Sequence, residues 1–233
     1  MKKDWIDILD GGYVRLVDKL GSDLTVANAA RVSYSKESFH LTDADKRLIA
    51  FLARKDHTSP FRHAMAQFEV YAPLMVARQW WKYVVGSDHT MDGWNESSRR
   101  YITEKPTFYI PQSDKWRSAP ANSKQGSGKP VNSFMGLEFT ERLIAVVDHG
   151  VKNYEEAMAR GICAEQARLF LPAYGMMVRW YWTSSLQGIC HLINQRLGHD
   201  AQYEFQLYAK AVLELIKIHF PTVVEYMVVF DED

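Results

Sequence analysis

The chain has 233 residues, with 28 lysines and arginines against 28 aspartates and glutamates, so its formal charge is zero. Hydrophobic residues make up 47% and aromatics 13%, which supplies a sizeable core and excludes disorder of the whole chain. The charge balance argues against a broad nucleic-acid or anionic-membrane surface. No apolar run approaches a membrane span, and the Met1-Lys2-Lys3-Asp4 start leads into no signal-peptide core. Two cysteines, Cys163 and Cys190, form neither a metal spacing nor a disulfide framework, so a cytoplasmic location is expected. One domain over 1–233 is expected, with a long polar loop at about 112–133.

In chain order, Tyr13–Asp18 alternates and predicts a strand. Ser22 or Asp23 caps a helix through Arg31. Thr42 caps a second, whose apolar stripe is Ala44, Leu48, Ile49, Phe51 and Leu52. HTSPFRH (57–63) predicts a turn and MAQFEVYAP (65–73) a strand. His57 and His63 straddle a proline at a spacing no helical metal pair has, so no metal is expected. A helix then starts at Pro73, with Arg78, Gln79 and Lys82 on one polar face and Val76, Trp80 and Tyr83 free to pack, and stops near Gly86. Thr107–Pro111 predicts a short strand. Gln112 to Ser133 is too long and polar for an ordinary connector: it is either a functional loop or a mobile one, and Lys115, Arg117, Lys124 and Lys129 on it suit an anionic ligand.

Two helices follow, about Phe134 to His149 and Val151 to Arg160, with Gly150 and Gly161 as stops. A short helix ends at Pro172, and MMVRWYWT (176–183) alternates as a strand. Ser184 or Ser185 caps a helix through Gln195, and a long helix starts at Asp200 and is interrupted at Pro221. Without βαβ regularity or a GxGxxG turn, the class is α+β: a mixed sheet packed with helices plus a mostly helical lobe.

Two stretches carry chemistry. LMVARQWWKYVVGSDHTMDGWNESSRRY (74–101) mixes tryptophans with cations, an amide, a carboxylate and hydroxyls, a set suited to a phosphate and to a base or sugar edge. NQRLGHDAQYE (194–204) sets Arg196 in the link between two helices, where it either pairs with the next helix's first carboxylate or presents a cation to a developing anion.

With these residues in view, the chain resembles the flavin-dependent thymidylate synthases. The matching blocks lie in order over nearly the whole length: ILDGGYVRLVD, AARVSY, HTSPF.H, FEVYAP..VARQW, NE.S.RY, FYIP, AR..LP, YWT and R....AQ.E. The resemblance implies reductive methylation of dUMP at C5, with methylenetetrahydrofolate as carbon donor, FAD as hydride carrier and NADPH as reductant. It further implies a homotetramer whose active sites are shared between subunits.

Residue by residue, it implies a nucleotide site of Gln79, Lys82, Glu96, Ser98, Arg99, Arg100, Arg168 and Arg196, the last polarising the uracil. The implied flavin contacts are His57, Ser59, Lys82, Glu96, Ser185, Gln187 and His191, with Ser33 beside them.

The chain departs from the family where an Arg-His-Arg triplet is expected and Lys82-Tyr83-Val84 stands instead, and where Gln187 replaces an arginine. Two cations are thereby lost near the flavin diphosphate. The enlarged loop is expected to replace them through Gly86, Ser87, His89 and Thr90. Neither cysteine is expected to be a nucleophile. Two other readings stay open: another pyrimidine nucleotide as substrate, or a non-catalytic nucleotide- or RNA-binding relative that has lost flavin.

Overall fold

A computed structural model describes residues 4–34, 36–85, 92–97, 105–121 and 124–229. Five strands form one sheet in the order β1-β2-β3-β5-β4: β1 (Trp5–Ile8), β2 (Gly12–Leu20), β3 (Met65–Pro73), β4 (Gly93–Glu96) and β5 (Met177–Ser185). The expected α+β class holds, and every strand pairing is antiparallel. β3 and β5 pair along their full lengths, from Met65↔Ser185 to Pro73↔Met177. Alternation then sorts the side chains. Phe68, Val70, Trp180 and Trp182 enter the core, while Glu69, Tyr71, Arg179 and Tyr181 face outward.

That outer face carries its own polar network. The Glu69 carboxylate accepts from Tyr13 Oη at 2.6 Å and from Arg15 Nε at 2.9 Å, with Arg179 at 3.8 Å. Burial works against its ionisation, but these hydrogen bonds and cations outweigh it and hold the carboxyl below its usual value.

The helices are α1 (Asp23–Arg31), α2 (Asp43–Arg54), α3 (Leu74–Val85), α4 (Ser133–Ala159), α5 (Ala164–Ala167), α6 (Leu186–Arg196), α7 (Tyr203–His219) and α8 (Pro221–Met227). Thr42 caps α2 as expected, accepting from Asp45 N–H, and Ser185 caps α6, accepting from Gly188 N–H. Asp23 does different work from the cap first read for it. Its buried carboxylate accepts from Thr222 and Val223 N–H at 2.9 and 3.0 Å, tying the start of α8 to α1. On α2 the buried positions are Asp45, Ile49, Ala50 and Leu52; Phe51 is exposed. Asp45 is admitted to the core by the Thr42 hydroxyl and an ion pair with Arg31 at 2.6 Å.

Three expectations are corrected, and two strands are present that the sequence did not show. β1 and β4 are too short to show a period, and both exist only because a longer strand lies alongside. Thr107–Pro111 is not a strand: Phe108 makes a single bridge to Met176. The long helix α7 begins at Tyr203, not Asp200. And α4 is one helix of 27 residues that runs through Gly150. Gly150 is there for packing, since a Cβ would stand 2.6 Å from the Phe170 carbonyl oxygen. Gly161, at φ 86°, is the real stop. No helix among the described residues is long and apolar enough to cross a membrane.

Gly150→Ala sets helix propensity, which favours alanine by about 1 kcal/mol, against overpacking at a backbone oxygen, which costs about 1–3 kcal/mol. The thermal midpoint of this variant is expected to fall. A rise would mean the Phe170 carbonyl yields freely and the close approach does not hold α4 in place.

Candidate active site

The two chemical stretches meet in one cleft of about 670 Å³. Helix α3 brings Met75, Gln79 and Lys82 to it, and the junction of α6 and α7 brings Arg196, Asp200, Gln202, Tyr203 and Glu204. The polar loop forms the opposite wall with Lys115, Trp116, Arg117 and Gln125–Ser127. Among its described residues this loop is held by the fold. Trp116 Nε1 donates to Thr140 Oγ1 at 2.9 Å, Arg117 Nε to Ser127 Oγ at 2.7 Å, and Ser118 N–H to the Lys129 carbonyl at 2.9 Å. Gly126, at φ 77°, sits where a Cβ would lie 2.9 Å from the His199 carbonyl oxygen. The loop is thus pinned to the link that carries Arg196.

Arg196 makes no ion pair among the described residues. Its guanidinium lies over the rings of Tyr83 and Phe205, 5.3 Å from each centroid, and its buried Nε has no hydrogen-bond partner there. Each ring contact contributes about 0.5–2 kcal/mol, while a buried donor without an acceptor costs about 1–3 kcal/mol. Held this way the arginine adds little to the fold and stays ready for an acceptor. Burial pushes the Tyr83 hydroxyl up, outweighing both the nearby Arg196 charge and a hydrogen bond from that guanidinium, so it remains protonated.

Gln79 donates its amide to Gln202 Oε1, and Gln202 Nε2 reaches Glu204 Oε2 at 3.0 Å. This chain of side chains orients Gln79 in the cleft. Gln202 and Glu204 were in view as part of the AQ.E block, but periodicity gave them no site role.

Arg78 does not share the face of Gln79 and Lys82. It lines, with Ala77 and Trp81, a smaller groove of about 210 Å³ that Trp94 and Glu96 complete. Glu96 also borders a third groove of about 510 Å³ with Arg168, whose Nε donates to the Glu165 carbonyl at 3.2 Å. Within one protomer, then, Gln79, Lys82 and Arg196 come together, and Arg168 and Glu96 come together elsewhere. Ser98, Arg99, Arg100, the side chain of Ser33 and the loop positions Gly86, Ser87, His89 and Thr90 lie outside the described residues.

Of the residues expected at a flavin, His57, Ser59, Ser185, Gln187 and His191 lie along one strip, whereas Lys82 lines the cleft and Glu96 the two other grooves. A 3-10 turn at Ser59–Arg62 packs beside the start of α6, where Leu186 N–H donates to the Ala64 carbonyl at 2.9 Å. His57 and Ser59 are exposed on it. Gln187 and His191, four apart, share one face of α6. His191 meets the Tyr83 ring at 5.7 Å, so Tyr83 links this strip to Arg196. Ser185 is buried, and its oxygen serves as the α6 cap.

An antiparallel sheet backed by helices in this arrangement has a counterpart among known proteins. Residues 15–222 match the family described as thymidylate synthase complementing protein. The chain is 34% identical over 223 residues to the flavin-dependent thymidylate synthase of Thermosipho africanus, covering 96% of this chain and 93% of that protein. It is 35% identical over 216 residues to that of Thermus thermophilus, covering 93% and 75%. The solved structure of the UMP/dUMP methylase PolB from Streptomyces cacaoi, bound with 5-Br dUMP, is similar with a TM-score of 0.80 at 25% identity, over 95% of this chain and 96% of that one. The chain belongs to the flavin-dependent thymidylate synthase family, whose members are methyltransferases.

Cys190 is buried, and burial alone pushes its thiol up to about 12; Cys163 is exposed at the start of α5 and lines none of these grooves. A thiol reagent should therefore modify Cys163 alone in the folded chain, and modification should leave turnover intact. Inactivation that tracks the labelling of either cysteine would contradict this.

Proposed function

We propose that the chain methylates dUMP at C5 to give dTMP, with methylenetetrahydrofolate donating the carbon. The observation that carries the reading is Arg196, a guanidinium held between two rings in the cleft wall with a donor still free. As charge develops on O4 and N3 of the uracil, a cation already in place stabilises it without having to reorganise. The pyrimidine then becomes the carbon nucleophile at C5, and no cysteine adduct is needed. Gln79, oriented by Gln202, and Lys82 hold the nucleotide beside Arg196.

The side chains along the 3-10 turn and α6 fit a flavin: exposed imidazoles at His57 and His191, a hydroxyl at Ser59 and an amide at Gln187. When bound, FAD carries the hydride that completes the methyl group, and NADPH restores it. The walls formed by Lys115, Trp116 and Arg117 are the folate-side candidates, since folate is anionic with an aromatic ring system.

A homotetramer with shared sites is the assembly we propose. Two observations support it. Arg168 and Glu96 stand in a groove apart from Arg196, as expected if one protomer completes the cleft of another. Large apolar side chains also lie bare along α4 and the turn after α5, with Phe134 84% and Leu169 82% exposed. A cytoplasmic setting suits the two unpaired cysteines.

A second reading, another pyrimidine nucleotide, draws support from the similarity to a protein named a UMP/dUMP methylase. Product mass from dUMP and UMP in parallel separates the two. In the same assay Arg196→Lys, which keeps the charge but loses the planar fork, should lower kcat by about 100-fold without lowering the melting temperature. Near-normal turnover in that variant would remove Arg196 from the chemistry.

A further inference from the structure

We infer that Arg62 holds the flavin diphosphate, supplying from across a gap the cation that Gln187 lacks. The inference rests on the flavin reading above and adds a residue that the family pattern leaves open, since Arg62 is the variable position of HTSPF.H.

Arg62 Nε donates to Gln187 Oε1 at 2.7 Å, although the two are 125 residues apart in sequence. The contact follows from the packing of the 3-10 turn against the start of α6. It places a guanidinium beside the one position on α6 where the expected arginine is missing. Only the inner nitrogen is committed. Nη2 makes a single long contact with Thr58 Oγ1 at 3.4 Å, and among the described residues no carboxylate lies within ion-pair distance of the side chain. An arginine used for stability usually spends its outer nitrogens on an acid; this one presents them.

The amide opposite completes the donor set. Gln187 accepts through Oε1, which leaves its Nε2 hydrogens pointing away from Arg62. An outer guanidinium edge and a neighbouring amide can engage oxygens on both phosphates of a diphosphate. Exposed His57 and Ser59 precede Arg62 on the same turn, and His191 continues the face of Gln187 along α6. The pairing also accounts for glutamine at 187. A second arginine there would set two cations side by side, whereas a glutamine accepts from the first and fixes its direction. The charge has moved from the helix to the turn.

The test is FAD affinity of the purified full chain, by fluorescence titration at low and high salt, for wild type, Arg62→Gln, and the exchange Arg62→Gln with Gln187→Arg. Arg62→Gln should weaken FAD binding by about tenfold or more and flatten its salt dependence, and the exchange should restore both. Unchanged affinity in Arg62→Gln would overturn the inference. So would a loss of affinity that the exchange does not restore and that accompanies a lower melting temperature, because Arg62 would then only support the turn. A wild-type chain that binds no FAD would overturn the flavin reading itself, a result distinct from either.

Discussion

Trp80 is the contact on which the site's geometry depends. Its fully buried indole meets Trp180 and Trp182 of β5 edge-on at 5.4 and 5.3 Å and stacks on Phe205 of α7 at 5.4 Å. One side chain therefore fixes α3 against the central sheet and against the helix that follows Arg196. Removing a side chain of this size from a packed core costs about 3–5 kcal/mol, a large share of the 5–15 kcal/mol that holds a typical domain together. The functional consequence is positional. Gln79 is its chain neighbour and Tyr83 lies one turn on, so where Trp80 sits decides where those two meet Gln202 and Arg196.

From that hub the polar groups fall into an ordered arrangement. Arg196 rests on Tyr83 and Phe205, and Phe205 rests on Trp80. Tyr83 turns its other side to His191. Tyr83 thus stands between the Arg196 cleft and the strip along α6, packing against both. On the far wall, Gly126 lets the polar loop close onto the same junction. The cleft is built by aromatic packing, and of its cations Lys115 pairs with Asp114, while Arg196 makes no ion pair among the described residues. That is an arrangement suited to anionic ligands and of little use to the fold alone.

What was legible in the sequence was local. Thr42, Ser185 and Gly161 mark helix ends through bonds and dihedrals that reach only a few residues, and the alternation of β3 and β5 reports their burial directly. Ordered short blocks carried the family. What stayed hidden depends on distant partners. β4 forms because Trp94 lies across from Trp182, and Gly150 continues a helix because Phe170 passes close by. The Asp200–Gln202 segment is drawn out of α7, and Gln202 bonds to Gln79 instead. Arg62 and Gln187 are the clearest case: each is an ordinary surface residue until the turn and α6 are brought together. The separation of Arg168 from Arg196 is equally invisible in one dimension.

The proposed methylation requires one continuous surface, from the Ser59–Arg62 turn along α6 to Arg196, to hold a flavin next to a pyrimidine nucleotide. Its most direct test is the visible absorbance spectrum of the FAD-reconstituted protein, recorded while dUMP is added. The expected result is a bound-flavin spectrum that shifts saturably with dUMP, both in the wild type and in an Arg196→Lys variant that holds the nucleotide but turns it over slowly. A flavin spectrum indifferent to saturating dUMP would mean the two ligands do not share that surface, and would contradict it.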